Sequence, residues 1–359
     1  MPLQTDGLWK EDWDKARKAL EAWWRGEGLA LYVTAPKSEP WEPVPKPGSE
    51  VELETRWLDP KYRLQSELSR MSRTFFGGVA APVFDTDVGP GSLGLFLGCE
   101  GVLGETTVWY EPVIDNPDSH PPLRFDLENL WWKRHQAIID AGVREAKGRY
   151  LVGMPDLIEN FDTLVQLRKP EEVLIDLVER PNWVHEKLHE INASFFECFD
   201  VLWDRLRDPW GGNFFCAFQI WGPGKTAKVQ CDLALTIGPS MFREFVVPPL
   251  KEQCEWLDFS MFHLDGTGSI PHLPALFELE CLHAIEWTPE PGQPTGGSPY
   301  WYEFYRRIRR AGKSVQAVGI LPEEVEPLID AVGPDGLFIM TATSTEEEAR
   351  DLLRRVGWD

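Results

Sequence analysis

The chain reads as an α/β protein: a single (β/α)8 barrel spanning residues 1–359, with residues 1–28 as an N-terminal helical extension. Three observations predict this. Eight short apolar runs can be read as strands, helix-patterned sequence lies between many of them, and no glycine-rich dinucleotide turn follows any strand. The runs are Leu29–Thr34, Thr74–Val83, Tyr150–Met154, Phe214–Trp221, Ser260–Leu264, Leu282–Trp287, Ser314–Ile320 and Leu337–Thr341. Each is apolar on both faces or nearly so, as parallel strands covered by helices must be. Gly77 and Gly78 weaken the second. A doubly wound sheet is the alternative, and the count of eight favours the barrel.

The helices follow from apolar spacing. Over Pro181–Arg207, residues Val184, Leu188, Ile191, Phe195, Cys198, Leu202 and Leu206 recur every three or four positions and make one stripe. Pro181 suits the first turn and Pro209 closes the element. Tyr300–Ala311 is a second helix, ended by Gly312. The last opens on Ser344-x-x-Glu347, a capping-box pattern, and turns Ala349, Leu352, Leu353 and Val356 inward. Residues 11–25 form an amphipathic helix with Trp13, Ala16, Leu20 and Trp23 on one side. Pro36–Gly48 is an extended excursion between a strand and helical sequence.

Composition excludes several functions. Asp and Glu total 58 against 36 Lys and Arg, a formal charge of −22. That argues against nucleic acid and against an anionic membrane surface as partners, since both need basic contacts. The longest strongly apolar run, Phe214–Trp221, is far short of the roughly 20 residues that span a bilayer. The polar, acidic N-terminus has no leader pattern, so a cytoplasmic location is expected. The six cysteines are scattered without a CxxC and read as reduced core residues. Seventeen tryptophans, several clustered, read as helix and barrel packing or as a flat wall for a ring-shaped ligand.

A barrel carries its chemistry at the C-terminal tips of its strands. Past Gly153-Met154-Pro155 come Asp156, Glu159 and Asp162, readable as site carboxylates or as acids favoured at a helix N-terminus. Gln219 and Trp221 share a face by alternation within one strand. The Gly224-Lys225-Thr226 that follows is no phosphate loop, because the position needing its first glycine is Gln219. Gln230 and Asp232 lie on the same loop, with Asp232 a substrate ligand or a helix cap. The sharpest signal is His263-Leu264-Asp265, where period two puts an imidazole and a carboxylate on one face. Such a pair serves as acid and base, metal ligand, substrate clamp or buried structural glue. Glu286 and Trp287 end the next strand on opposite faces. Cys281 and His283 sit at that strand's start and read as structural, and His120, His135, His185, His189 and His272 receive no role.

Several of these stretches resemble the uroporphyrinogen decarboxylase-like superfamily, from about residue 12 to the end. The likeness is carried by Cys231-Asp232-Leu233 through Ile237-Gly238-Pro239-Ser240-Met241-Phe242-Arg243-Glu244-Phe245-Val246-Val247-Pro248-Pro249-Leu250, by Phe262-His263-Leu264-Asp265-Gly266, and by Gly336-Leu337-Phe338-Ile339 with Glu346–Leu352. The resemblance implies a (β/α)8 barrel. The decarboxylase segment Met-Arg-Gln-Ala-Gly-Arg is absent, and the first strand runs into Val33-Thr34-Ala35-Pro36 instead, so the chain is not similar to the true decarboxylases there. The corrinoid methyltransferase branch carries zinc on His-x-Cys plus a later Cys. Here the pair is His263-x-Asp265 and the later stretch is Met340-Thr341-Ala342-Thr343, so the thiolates of such a zinc site are missing, while harder oxygen and nitrogen coordination through His263 and Asp265 stays open.

The resulting expectation is a methyltransferase-like enzyme. It would move a methyl group from a small methylated ether or amine to a corrinoid carrier protein, a homodimer being compatible with the sequence. His263, Asp265, Asp156 and Asp232 are the catalytic candidates. Gln219, Trp221, Gln230, Glu286, Trp287 and Glu159 are the substrate-binding ones. A lyase or hydrolase acting on a cyclic or sugar-like molecule, and a non-catalytic barrel binding a tetrapyrrole or corrinoid, are the alternatives.

Overall fold

Among the described residues thirteen strands punctuate the chain, and their lengths divide it into a regular part and an irregular one. The computed structural model describes residues 7–358; the first six residues of the expected N-terminal extension lie outside that range. In order the strands are β1 (Leu29–Pro36), β2 (Thr74–Gly78), β3 (Val83–Phe84), β4 (Glu100–Leu103), β5 (Val108–Glu111), β6 (Leu151–Val152) and β7 (Asn213–Phe215). Then come β8 (Ile220–Gly222), β9 (Thr226–Gln230), β10 (Phe259–Asp265), β11 (Ala284–Thr288), β12 (Ser314–Ala317) and β13 (Leu337–Ala342). Seven of them make the central sheet, in the order β2-β1-β13-β12-β11-β10-β9, all parallel except for the β1–β2 pair.

The fold is thus α/β around a mainly parallel sheet, but strand pairing among the described residues does not close into a ring. The pairing lapses between β2 and β9. There β3 and β6 share two residue pairs, and a single bridge joins Met154 to Phe215. Between β7 and β9 a side chain takes over: Asn213 accepts from the Thr226 amide (2.9 Å) and donates to the Thr226 carbonyl (3.0 Å).

Several strand boundaries differ from the sequence reading for local reasons. The expected run Thr74–Val83 is two strands, because Gly78 turns into the left-handed region (φ +61°), where a Cβ would stand 1.8 Å from the Leu31 carbonyl oxygen. The expected run Phe214–Trp221 folds back as the antiparallel pair β7–β8. Phe218 and Gln219, both at positive φ, make its turn. Alternation therefore does not relate Gln219 to Trp221. The segment holding Gln230, expected as loop, is β9, and its inward polar residues Lys228 and Gln230 hid it. β11 begins at Ala284 and β12 ends at Ala317, both shorter than expected.

The helices follow the apolar stripes. Pro181–Leu206 buries Val184, Leu188, Ile191, Phe195, Cys198, Leu202 and Leu206. Tyr302–Arg310 ends before Gly312 at φ +80°. The final helix, Glu346–Arg355, is capped one residue later than expected: Thr345 accepts from the Glu348 amide, and Glu348 accepts from the Ser344 amide (3.0 Å).

The N-terminal helix Trp13–Trp24 is less an extension than a plug across the N-terminal ends of the sheet. Ser314 donates to the Trp23 carbonyl (2.5 Å), Trp23 meets Phe338 edge to face at 5.3 Å, and Trp24 donates to the Trp221 carbonyl (2.8 Å). Burying these large rings at one end leaves the C-terminal tips as the open end. No helix among the described residues is long and apolar enough to cross a membrane.

Candidate functional site

Strand register brings the site together. Gln230 pairs with His263, His263 with Glu286, and Glu286 with Gln316, so four polar side chains stand side by side on one face of β9, β10, β11 and β12. One row nearer the tips, Asp265 stands level with Thr288. Period two then sends Trp287 to the opposite face, where its ring is buried against Trp301 (4.9 Å) and Phe304 (4.7 Å). Trp221 is buried against Trp13 (5.8 Å) and its indole N–H donates to Asp208 (2.6 Å). Neither tryptophan walls a pocket, which corrects the sequence expectation for both. Gln219 is likewise spent in its own turn, donating to the Cys216 carbonyl (2.7 Å).

His263 is the centre of the row. Its Nδ1 is hydrogen-bonded to Glu286, which is fully buried and also accepts from the Thr288 hydroxyl (2.7 Å). The Phe218 ring packs on the imidazole at 4.6 Å between centroids, and Gln316 holds Phe218 by donating to its carbonyl (2.8 Å). Burial disfavours a charged imidazole, but the Glu286 carboxylate and its hydrogen bond outweigh this, and Asp232 adds to them against Lys228, so the His263 pKa is raised. Asp232, His263 and Asp265 each turn a ligand-type atom to a common point, all within 4.8 Å of one another. Asp232 reaches solvent at its outer edge. Burial of the remainder and then the neighbouring Asp162 push its carboxyl up to about 6.

Behind this cluster lies a buried charge network. Lys228, 1% exposed, forms an ion pair with Asp156 (2.9 Å) and donates to Gln230. Gln230 in turn donates to Asp162 (2.7 Å), which also accepts from the amides of Asp232 (2.9 Å) and Leu233 (3.3 Å). Glu159 accepts from the Gln230 amide (2.7 Å), and its burial lifts its carboxyl to about 8. Burial opposes the Lys228 charge, but Asp156 and Glu159 more than restore it and its pKa is raised. Asp162 and Glu159 thus bind backbone across the sheet rather than simply favouring the helix Asn160–Arg168.

The sequence reading missed Lys228, Asp85 and Asp87. The last two follow β3 and line a cleft of about 800 Å3 together with Arg63, Tyr62 and Asp156. Asp87 accepts from the Asp156 amide (2.7 Å), and Arg63 donates to the carbonyls of Asp87 (2.8 Å) and Asp85 (3.1 Å). Burial and then Asp85 and Asp156 raise the Asp87 carboxyl well above the usual range. A second cleft of about 580 Å3 shares Ser49, Tyr62 and Ser66 with the first and reaches Thr34 and Ala342 at the tips of β1 and β13. The overlooked signals were short: Asp85-x-Asp87 directly after an apolar pair, and the alternation Thr226-Ala-Lys-Val-Gln230. The sequence-derived acids Asp156, Glu159, Asp232 and Asp265 do gather with His263, Gln230 and Glu286 around one end of the sheet.

These residues can do two kinds of chemistry. Glu286, His263 and the facing carboxylates form an acid–base set. The same trio Asp232, His263 and Asp265 presents oxygen, nitrogen and oxygen donors with a carboxylate behind the imidazole, a set that fits an oxygen- and nitrogen-preferring cation and not a thiolate-bound zinc. No protein-family model matches the chain, and no curated protein matches it.

Proposed function

We propose that the chain is a cytoplasmic enzyme of the uroporphyrinogen decarboxylase-like kind, built on a (β/α)8 barrel with an irregular sector. It takes a methyl group from a small methylated ether or amine and hands it to a corrinoid on a separate carrier protein. The observation that carries this reading is the Glu286–His263 pair facing Asp232 and Asp265 at the strand tips. The barrel reading is supported by the parallel pairings β3–β6 and Met154–Phe215, which add parallel strand contacts in the sector between β2 and β9.

Removing a methyl group from oxygen or nitrogen leaves negative charge or a lone pair on that atom, so a proton delivered there lowers the barrier. Glu286 accepts the Nδ1–H of His263 and keeps the imidazole protonated above its ordinary range. The other ring nitrogen then donates to the leaving atom. Asp232 and Asp265 hold a donor group of the substrate, and the cleft lined by Asp87 and Asp156 connects to the same network through the Asp156–Lys228 ion pair. The corrinoid supplies the nucleophile that accepts the methyl.

The test is to mix the purified protein with reduced corrinoid carrier and a panel of methoxylated and N-methylated small molecules. The spectrum of the corrinoid should change as it takes up methyl, the rate should fall as pH rises through the His263 pKa, and His263→Ala should slow it by about 10²-fold or more. No change with any compound overturns methyl transfer. A second reading of the same cluster rests on its three convergent donors: a divalent cation polarising the substrate, with Glu286 orienting the imidazole. Calorimetric titration with divalent metals separates the two, since only the cation reading expects stoichiometric binding that Asp265→Asn abolishes.

A further inference from the structure

The helix Pro60–Ser72 begins on a cap, with Asp59 accepting from the Tyr62 amide (2.7 Å) and Pro60 in the first turn. Tyr62, Ser66, Ser69 and Arg73 then follow at spacings of four, three and four, which is one stripe of a helix. Where a helix packs closely such a stripe is apolar; here it carries hydroxyls and a guanidinium. Residues 36–48 are tied to the same helix: the Trp41 amide donates to the Ser72 carbonyl (2.8 Å), and the Tyr62 hydroxyl donates to the Gly48 carbonyl (3.1 Å). Helix, segment and the tips of β1 and β13 enclose the cleft of about 580 Å3.

We propose that this cleft binds the carboxylate or phosphate group of a small organic anion, with Arg73 and Lys46 as its cations. The chain has a formal charge of −22, yet the lining holds Lys46, Arg70 and Arg73 and no carboxylate. Glu67 meets the Arg70 charge (2.6 Å). Arg73 is held by neutral oxygens instead: it donates to the Ser69 carbonyl (2.9 Å), the Ser69 hydroxyl (2.6 Å) and the Val44 carbonyl (2.5 Å). These contacts fix the guanidinium without neutralising it and leave part of its donor fork for a ligand. Lys46 is exposed between Pro45 and Pro47, whose rings restrict the backbone that carries it. The Ser49 and Ser66 hydroxyls in the same lining can donate to further ligand oxygens.

A fixed guanidinium, an ammonium and hydroxyls match the oxygens of a carboxylate or a phosphate alike. The adjoining cleft, which shares Ser49, Tyr62 and Ser66, is lined by five carboxyl groups against Arg56 and Arg63. An acid group is therefore drawn to the tips of β1 and β13 and away from Asp85 and Asp87. This end of the sheet is also the end that carries His263, but β12 and β11 stand between β13 and β10. Occupancy of the cleft is read without turnover, independently of methyl transfer.

The experiment is calorimetric titration of the full chain with inorganic phosphate and with succinate, succinamide serving as the uncharged control. The expected result is saturable binding of at least one anion and none of succinamide, and the tighter of the two anions tells phosphate from carboxylate. Arg73→Gln should weaken that binding about tenfold or more, and Lys46→Gln about threefold. Lys46 is exposed, so its variant keeps the test open even where Arg73→Gln disturbs the helix end. No saturable binding of either anion, equal binding of succinamide, or an affinity that both variants leave unchanged, as an anion seated on His263 would give, overturns the proposal.

Discussion

The arc from β9 to β13 and the arc from β2 to β8 solve the same problem differently. In the first, five consecutive parallel strands satisfy one another's backbone, and the inward side chains are left over for chemistry: Gln230, His263, Glu286 and Gln316 stand in one row. In the second, strands of two to five residues cannot pair continuously, so side chains stand in for backbone. Asn213 completes the Thr226 ladder, Asp87 takes the Asp156 amide, Glu159 takes the Gln230 amide, and Asp162 takes the amides of Asp232 and Leu233. Buried backbone groups must find partners, and carboxylates are strong acceptors. The irregular arc thereby accumulates buried carboxyl groups, some lifted toward their neutral form, and Lys228 of the regular arc balances the charge of Asp156 among them.

The largest effect should come from breaking that balance. Lys228→Met removes the cation and leaves Asp156 buried without its ion pair, which costs about 3–5 kcal/mol. Adding Asp156→Asn should recover a large part of the loss, because the remaining charge is then removed as well. Denaturant unfolding of the single and double variants measures both. A loss below about 1 kcal/mol for the single variant would mean that shared protons, and not Lys228, neutralise the network.

Next in size is the seam itself. Asn213→Leu deletes both hydrogen bonds to Thr226 and strands a buried amide and carbonyl, a cost of about 2–3 kcal/mol. Thr288→Val in the regular arc deletes only the hydroxyl bond to Glu286 and should cost about 1 kcal/mol. Equal losses would erase the distinction between the arcs.

The sequence was legible where the backbone is regular. β10, β11 and β13 are plain as short apolar runs, and His263 and Asp265 on one face follow from period two alone. The break at Gly78 was hinted at by its glycine pair, but the Phe218–Gln219 turn carries two ordinary residues at positive φ and leaves no compositional trace. β9 was lost because Lys228 and Gln230 look like loop residues until an inward, carboxylate-lined face is known. The roles of Asp87 and Glu159 depend on amides from distant segments, and no local pattern encodes those.

A smaller effect probes the row. Glu286→Gln keeps a polar partner for His263 but removes the charge, so the imidazole pKa should fall toward or below its ordinary value of about 6.5. Because the folded-state pKa is raised in the wild type, the stabilisation from this pair is complete below about pH 6.5 and fades as pH rises through the folded value. The variant should therefore be less stable than wild type by about 1–2 kcal/mol near pH 6 and converge with it in alkaline solution. Histidine-resolved NMR titration alongside unfolding at several pH values checks both parts. A gap that widens with pH would place the proton elsewhere.

The smallest effect separates two neighbouring residues. The capping pattern Ser344-x-x-Glu347 and the observed pair Thr345 and Glu348 differ by one position, and the chain direction into the last helix depends on which applies. Thr345→Ala removes the hydroxyl that accepts the Glu348 amide and should cost about 1 kcal/mol. Ser344→Ala removes a hydroxyl outside the cap and should cost no more than about 0.5 kcal/mol, within the range of an ordinary surface change. Thermal unfolding of the two variants decides. Since the helix packs Ala349, Leu352 and Leu353 inward against β1 and β2, away from β10 and β11, neither change should alter the pH dependence of His263. If Ser344→Ala proves the costlier change, the helix starts a residue earlier in solution, at the cap that the Ser344-x-x-Glu347 pattern marks.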